Sequence, residues 1–148
     1  MRVVVQRVSE ASVSVDGRLV GRIGPGFVIL LGVAQTDTEA DAKFVADRTV
    51  GLRVFADQNG KMNLDIKQIG GELLVISQFT LLADTNSGRR PSFIQAAPPE
   101  LANALYEKFV SICRVSGVKV ETGEFGANMN VQLVNQGPVT ILLDSRKS

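Results

Sequence analysis

The stretch LVNQGPVTILLD, residues 133–144, contains two strand-like pieces separated by the tetrapeptide Asn-Gln-Gly-Pro. Val, Thr, Ile and Leu are favoured in strands, whereas Asn, Gly and Pro are favoured in turns. The simplest interpretation is a hairpin connection between two strands. The alternative is that Gly137 and Pro138 also present their backbone to another molecule.

The rest of the chain predicts about eight strands and two helices in a single domain that covers residues 1–148. The predicted strand segments are the N-terminal stretch Arg2–Val8 with Ala11–Val15, and then Arg18–Ile23, Phe27–Val33, Arg53–Phe55, Glu72–Leu82, Val118–Glu121, Met129–Val134 and Val139–Asp144. The helices are not in regular alternation with the strands. This order predicts an α/β fold with a curved or barrel-like, mostly antiparallel sheet and two helices on its outer side.

Each predicted helix has a start signal and an apolar stripe. Thr36 or Asp37 is the predicted N-cap of a helix over 38–50, and Pro98-Pro99 starts a second helix that ends near Ser116. The predicted buried stripes are Ala42, Val45, Ala46 and Thr49 in the first helix and Leu101, Leu105, Phe109 and Ile112 in the second.

Composition narrows the class of protein. The chain has 148 residues, of which 45% are hydrophobic and 21% charged, with a net charge of +1, which is typical of a soluble globular domain. The longest apolar run, Phe27–Leu31, is too short to cross a bilayer. A single cysteine indicates a reducing compartment, so a cytoplasmic location is expected, and Cys113 is predicted to be buried filler.

The chain contains no histidine. This excludes Ser-His-Asp and Cys-His nucleophile activation in their usual forms, and it excludes His-based zinc sites. No Gly-rich phosphate loop of the Walker or dinucleotide type is present, so neither a metal nor a cofactor is expected. Proton transfer in an enzyme of this composition would use carboxylates, hydroxyls, water, the substrate or the backbone.

Polar residues interrupt the predicted strand 72–82. Both faces of this segment are otherwise apolar, and Ser77, Gln78 and Thr80 stand where core residues are expected. Burying an unpaired hydroxyl or amide costs about 1–3 kcal/mol, so these groups either form an internal network or line a pocket.

Three motifs occur in order along the chain: SQFTL at residues 77–81, GRRPSF at 88–93 and NQGPVT at 135–140. Together with MRVVVQRV at 1–8, DGRLVGRIGPGFVILLGV at 16–33 and TGEFGANMNVQLVNQGPVT at 122–140, they resemble the D-aminoacyl-tRNA deacylase family. The resemblance covers the length of the chain. Two positions depart from the family pattern, since Gln136 and Asn128 stand where acidic residues are common.

The resemblance implies a homodimer with active sites at the subunit interface, which hydrolyses the ester between a D-amino acid and the terminal adenosine of tRNA. It implies that the Gly137–Pro138 peptide is cis and that its carbonyls enter the partner's pocket and exclude L side chains. Arg7 matches a family residue that holds this loop, although it could also be an exposed strand charge. Achiral glycyl-tRNA would then also be cleaved to some degree.

An aminoacyl ester is already activated, so positioning of water and stabilisation of the oxyanion can carry the catalysis. We assign Ser77, Gln78, Phe79 and Thr80 to the catalytic segment. The backbone N–H groups near Phe79 and Thr80 are candidate oxyanion donors, and the Thr80 hydroxyl is a positioning group because no base stands ready to deprotonate it. Met129 would shape the pocket with Phe79, although both could equally be core residues.

Arg89 and Arg90, in a Gly-containing loop, are the candidate contacts to tRNA phosphate, although an Arg pair in a loop is often only solvated. The net charge of +1 indicates few phosphate contacts, which fits recognition of a tRNA end. Neither DNA nor a membrane is expected as a partner. The alternative function is a non-catalytic homodimeric module that binds a nucleotide or a free D-amino acid.

Overall fold

The computed structural model describes residues 1–146, and these form eight strands, two α-helices and one short 3-10 helix. The last two residues of the predicted domain 1–148 lie outside the described residues. The strands are β1 (Arg2–Val15), β2 (Arg18–Ile23), β3 (Gly26–Gly32), β4 (Phe55–Ala56), β5 (Met62–Leu64), β6 (Glu72–Ser77), β7 (Lys119–Thr122) and β8 (Asn130–Asp144). The helices are α1 (Glu39–Gly51), the 3-10 helix (Phe79–Leu82) and α2 (Pro99–Val115).

The main sheet is organised around β1. One edge of β1 pairs with β3 and then with β2, and its other edge pairs with β8. The strand order is β2-β1-β3-β6-β7, with β8 attached to β1, and β4 and β5 form a separate hairpin. The sheet curves until its ends nearly meet, since a Cβ on Gly21 of β2 would lie 2.9 Å from the carbonyl oxygen of Thr122 in β7.

The sheet is mixed, which qualifies the prediction that it is mostly antiparallel. All pairs that involve β1 are antiparallel, but β6 pairs in parallel with both β3 and β7. The predicted barrel-like curvature and the two helices are confirmed. Both helices pack on alternate residues of β1, β3 and β6, including Val5, Ile29 and Val75, and so cover one face of the sheet.

The helices begin close to their predicted starts. α1 is capped by Thr38, whose backbone and hydroxyl contact the Asp41 carboxylate, and all four residues of its predicted stripe are buried. The prediction that Thr36 or Asp37 is the cap is wrong, because the Asp37 carboxylate is instead buried against the N-terminal ammonium group. In α2 the predicted stripe is only partly correct, since Leu105 and Phe109 are buried but Leu101 and Ile112 are half-buried. The other buried residues of this helix are Ala102, Tyr106, Val110 and Cys113.

The stretch 133–144 is not a hairpin. Both of its halves belong to β8 and pair with the same strand, β1, so that Gln6 is opposite Thr140 and Val8 is opposite Asn135. Residues 136–139 therefore stand opposite Arg7 alone and bulge out of the ladder. A bulge of this kind re-aims the chain without ending the strand.

The predicted strand 72–82 is also wrong in its second half. β6 ends at Ser77, the last bond to β3 runs from the Gln78 N–H to the Leu31 carbonyl, and the chain then turns into the 3-10 helix. The helix closes onto Gly32, where a Cβ would lie 2.7 Å from the Leu82 side chain and 3.0 Å from the Gln78 carbonyl oxygen. Because Gly32 has no side chain, the 3-10 helix can pack directly against the backbone of β3.

Candidate active site

A cavity of about 600 Å³ lies at the carboxyl edge of the three parallel strands. Val33 follows β3, Ser77 ends β6, and residues 125–129 follow β7. Ligands of α/β proteins commonly bind outside the carboxyl ends of parallel strands, where the chain leaves the sheet. The lining residues are Val33, Ile76, Ser77, Gln78, Phe79, Phe93, Ala96, Ala97, Pro99, Ala102, Phe125, Gly126, Ala127, Asn128, Met129 and Val131.

Four of the predicted site residues meet in this cavity: Ser77, Gln78, Phe79 and Met129. Ser77 and Gln78 are half-buried at the end of β6, so their polar groups line the wall where the strand loses its partner. Met129 is held by a tight contact, because a Cβ on Gly123 would lie 2.5 Å from its sulfur. The same sulfur accepts a hydrogen bond from the Glu124 N–H at 3.4 Å.

An aromatic pair stands at the edge of the cavity. The rings of Phe79 and Phe93 meet edge to face with centroids 5.0 Å apart, and 54% of Phe79 and 37% of Phe93 remain exposed. Exposed aromatic faces in a cleft are suited to stacking with a planar group such as a nucleobase. Phe79 is therefore a wall residue and not part of the core.

Sequence reasoning missed several lining residues. Phe93 and Phe125 lie within the motifs GRRPSF and TGEFGANMN, and this position in the motifs could have indicated that they line the site. Ala97, just before α2, and Ala102, in its first turns, are small apolar residues and carry no such signal. They line the cavity because α2 begins beside it.

Among the residues that the structure describes, no side chain lining the cavity is ionisable. Its polar groups are the side chains of Ser77, Gln78 and Asn128 together with the backbone. No hydrogen bond within residues 1–146 reaches the backbone N–H of Phe79 or Thr80, so both donors are available to a ligand. The site can therefore position and polarise a bound group, but it has no side-chain base of its own.

Thr80 does not line the cavity. It is exposed on the 3-10 helix, and its hydroxyl oxygen accepts a hydrogen bond from the Gln78 side-chain amide at 2.5 Å. This contact orients the Gln78 side chain at the cavity edge. The strand-face argument that placed Thr80 among core residues fails because the strand has already ended.

The Gly137–Pro138 peptide is cis and lies in the exposed bulge of β8, outside the cavity of its own chain. Arg7 anchors the base of the bulge. Its Nε donates to the Gln136 carbonyl at 3.2 Å and its Nη1 to the Val54 carbonyl at 2.5 Å. Arg7 is half-buried, so the interpretation of an exposed strand charge is wrong.

The two departures from the family pattern, Gln136 and Asn128, are both exposed. Arg89 and Arg90 are exposed in the loop between the 3-10 helix and α2, and the same loop carries Phe93.

No group of three or more His, Cys, Asp or Glu that could hold a metal occurs within residues 1–146. No helix in that range is long and apolar enough to span a membrane.

Two buried ionisable groups of α2 stay neutral. The Tyr106 hydroxyl donates to the Val75 carbonyl at 2.9 Å, and burial raises the pKa of Tyr106 to about 12. Burial likewise raises the pKa of the Cys113 thiol to about 12. Cys113 is thus a protonated core residue, as predicted, and not a nucleophile.

The fold and the cavity define an α/β domain with a ligand-sized cleft at the carboxyl edge of its parallel strands. Residues 4–144 match the model of the family described as D-Tyr-tRNA(Tyr) deacylase. The chain belongs to this family. It is 57% identical to a D-aminoacyl-tRNA deacylase of Desulfatibacillum aliphaticivorans over 99% of this chain and 100% of that protein. It is 60% identical to a D-aminoacyl-tRNA deacylase of Roseiflexus castenholzii over 98% of this chain and 92% of that protein.

Solved structures share the fold. The c-Myc DNA unwinding element binding protein is 38% identical, with a TM-score of 0.94 over 99% of this chain and 100% of that one. A probable eukaryotic D-amino acid tRNA deacylase is 17% identical, with a TM-score of 0.84 over 97% of this chain and 98% of that one. The second likeness shows the fold alone.

Proposed function

We propose that this protein hydrolyses the ester bond of D-aminoacyl-tRNA and releases the free D-amino acid and tRNA. The observation that carries the proposal is a cavity beside two backbone donors, at Phe79 and Thr80, that bond to no acceptor within residues 1–146, in a chain of the D-Tyr-tRNA(Tyr) deacylase family. The terminal adenosine would stack on the exposed Phe79 and Phe93 rings. The ester carbonyl would then lie beside the free N–H groups.

The chemistry follows from the absence of ionisable side chains. The backbone donors would stabilise the oxyanion that forms when water attacks the ester carbonyl, and one well-placed donor contributes about 3–4 kcal/mol. Since no cavity side chain can act as base, the proton of the attacking water would pass to solvent or to a hydroxyl of the substrate ribose. Ser77 and Gln78 would orient the substrate, and Thr80 would act through its bond to Gln78.

We propose that the enzyme is a homodimer whose partner completes each site. Within residues 1–146 β8 pairs only with β1, so its other edge is open along the strand, with Val134 and Leu142 51% and 76% exposed. Long open edges are normally covered. A second copy placed against β8 could bring its Gly137–Pro138 bulge to this chain's cavity.

In that arrangement, the backbone carbonyls of Gly137 and Pro138 would exclude the side chain of an L-amino acid, and Arg7 would hold the bulge in place. Selection would act by rejection, because the cavity has no group that grips a particular D side chain. Glycine has no side chain to reject, so glycyl-tRNA would also be cleaved to some degree.

The tRNA would be held mainly by its end. The net charge of +1 favours few phosphate contacts, and Arg89 and Arg90, in the loop that carries Phe93, are the candidates. A cytoplasmic enzyme with neither a membrane nor DNA as partner fits this substrate.

The test is a single-turnover assay on matched D- and L-tyrosyl-tRNA, with two variants of α2. Ala102 lines the cavity, whereas Ala104 is exposed two residues further along the same helix. Ala102→Leu should block deacylation, and Ala104→Leu should retain it. Because overpacking costs about 1–3 kcal/mol, melting curves must show that both variants are folded at the assay temperature.

Release of D-tyrosine by the wild-type protein and by Ala104→Leu, but not by Ala102→Leu, would support the proposal. Binding of D-tyrosyl-tRNA or adenosine without turnover would instead favour the non-catalytic binding module. Light scattering that gave a fully active monomer would contradict the shared site.

A further inference from the structure

Resting on the proposed function, we propose that Arg2 is a positioning residue for the deacylation site, acting through the 3-10 helix that carries Phe79 and Thr80. The Arg2 Nη1 donates to the Leu81 carbonyl at 3.0 Å, and its Nε lies 3.5 Å from the Asp144 carboxylate. One guanidinium thus connects the start of β1, the end of β8 and the wall of the cavity.

The register of the sheet explains this arrangement. Arg2 is directly opposite Gly32 in β3 and Asp144 in β8, so the three residues form a row on one face of the sheet. The 3-10 helix occupies the space above Gly32, where a side chain would collide with Leu81 and Leu82. The guanidinium fills the gap between this helix and the Asp144 carboxylate.

The Leu81 carbonyl needs an external donor. It lies at the C-terminal end of the 3-10 helix, and the next free amide, that of Asp84, donates to Ser92 instead. Among the residues that the structure describes, Arg2 is the donor recorded for this carbonyl. A cation also complements the partial negative charge of a helix C-terminus.

The other end of the segment is tied by the bond from the Gln78 N–H to the Leu31 carbonyl, 2.8 Å long. Between these two ties lie Phe79 and Thr80, whose backbone N–H groups donate to no acceptor in the part of the chain that the structure describes. Without Arg2, the carboxyl end of the segment is still held by the buried Leu82 and by the pairing of Asp84 with Ser92, but the Leu81 carbonyl loses its hydrogen bond and the turn next to Thr80 is held less tightly. Misplacement of reacting groups by about 1 Å costs up to roughly 100-fold in rate. Greater mobility of the segment that carries Phe79 and Thr80 should therefore lower kcat more than it raises KM.

The test compares Arg2→Met, Arg2→Lys and Asp144→Asn, with Arg48→Met as the matched control. Arg48 is an exposed arginine on α1 whose guanidinium lies over the Phe44 ring, away from the cavity. Arg2→Met should lower kcat on D-tyrosyl-tRNA by about tenfold or more, with KM changed by less than about twofold. Arg2→Lys should recover most of the loss, because its ammonium can still donate to the Leu81 carbonyl, and Asp144→Asn should give an intermediate loss.

Amide hydrogen exchange gives a readout that does not depend on turnover. Arg2→Met should speed exchange in residues 78–82 and leave the 55–64 hairpin unchanged, whereas Arg48→Met should do neither. An unchanged kcat in Arg2→Met, or a loss accompanied by equally faster exchange throughout the chain, would overturn the positioning role. If the wild-type protein released no D-tyrosine, the proposed function would fall. Selective loosening of residues 78–82 in Arg2→Met would then still show that Arg2 positions the 3-10 helix, and unchanged exchange there would overturn the inference as well.

Discussion

Replacing Gly137 with alanine should lower the deacylation rate, because the added methyl group displaces the Gly-Pro bulge of β8. Gly137 has φ +125°, a region that L residues rarely adopt. A Cβ there would lie 2.9 Å from the Arg7 Nη2 and 2.9 Å from the Val139 Cγ2. The bulge must therefore move, and with it the carbonyls that we propose select the substrate.

The backbone conformation alone should cost about 1–3 kcal/mol. The Arg7 contact adds little, because the end of a guanidinium can swing away, but moving it weakens the bond to the Gln136 carbonyl. The Val139 contact is harder to relieve, since this side chain is half-buried in β8. The total should lie near the upper end of that range, which for a domain of this size lowers Tm by roughly 6–10 °C.

The matched control is Gly17→Ala. Gly17 also has a positive φ, +77°, but nothing lies within 4 Å of its added Cβ. Its cost should be about 1 kcal/mol, with the deacylation rate unchanged. Both variants should be assayed on D- and L-tyrosyl-tRNA well below their Tm. A Gly137→Ala protein with the wild-type rate and the wild-type D/L ratio would refute the role of the bulge.

Three further outcomes are expected. Thr80→Ala should keep a substantial part of the deacylation rate, and a loss on the order of 10⁶-fold, as for a triad serine, would show instead that its hydroxyl is the nucleophile. Tyr106→Phe should lower the unfolding free energy in urea by only about 1 kcal/mol, because the Val75 carbonyl keeps its second bond, from the Gly123 N–H. The Gly24 N–H and then Lys119 lower the pKa of Glu72 from its ordinary 4.5, so Glu72→Gln should cost about 1 kcal/mol at pH 7. That difference should be fully present above the ordinary pKa and should vanish as the pH falls through the lowered one, and a difference independent of pH would contradict this.

The local elements of the fold could be predicted from the sequence because their signals are local. The stripe of α1, the Pro99 start of α2 and the strand Arg18–Ile23 each depend on residues close together in the sequence. The burial of Cys113 followed in the same way. Local signals could not predict where β6 ends, because Phe79, Leu81 and Leu82 are as compatible with a strand as with a 3-10 helix.

What decides the end of β6 is a residue far away in the sequence. β3 ends at Gly32, so β6 loses its partner there and the following turn folds onto the bare backbone. The cavity has the same origin, because its position depends on the parallel pairing of β3, β6 and β7. The motif resemblance predicted that Ser77, Gln78, Phe79 and Met129 share a pocket. It gave no physical reason for this, which only the arrangement of the strands supplies.

The pairing of β1 with β8 has a consequence for how the protein is made. Arg2 is opposite Asp144, so the strand at the centre of the sheet stays half-paired until β8 has left the ribosome. Contacts this distant in sequence make folding slow, and the waiting β1 edge is open to pairing with other chains. Nascent chains stalled before β8 should therefore be good clients for chaperones, and the Gly-Pro bulge would be set in its place only in the last step of assembly.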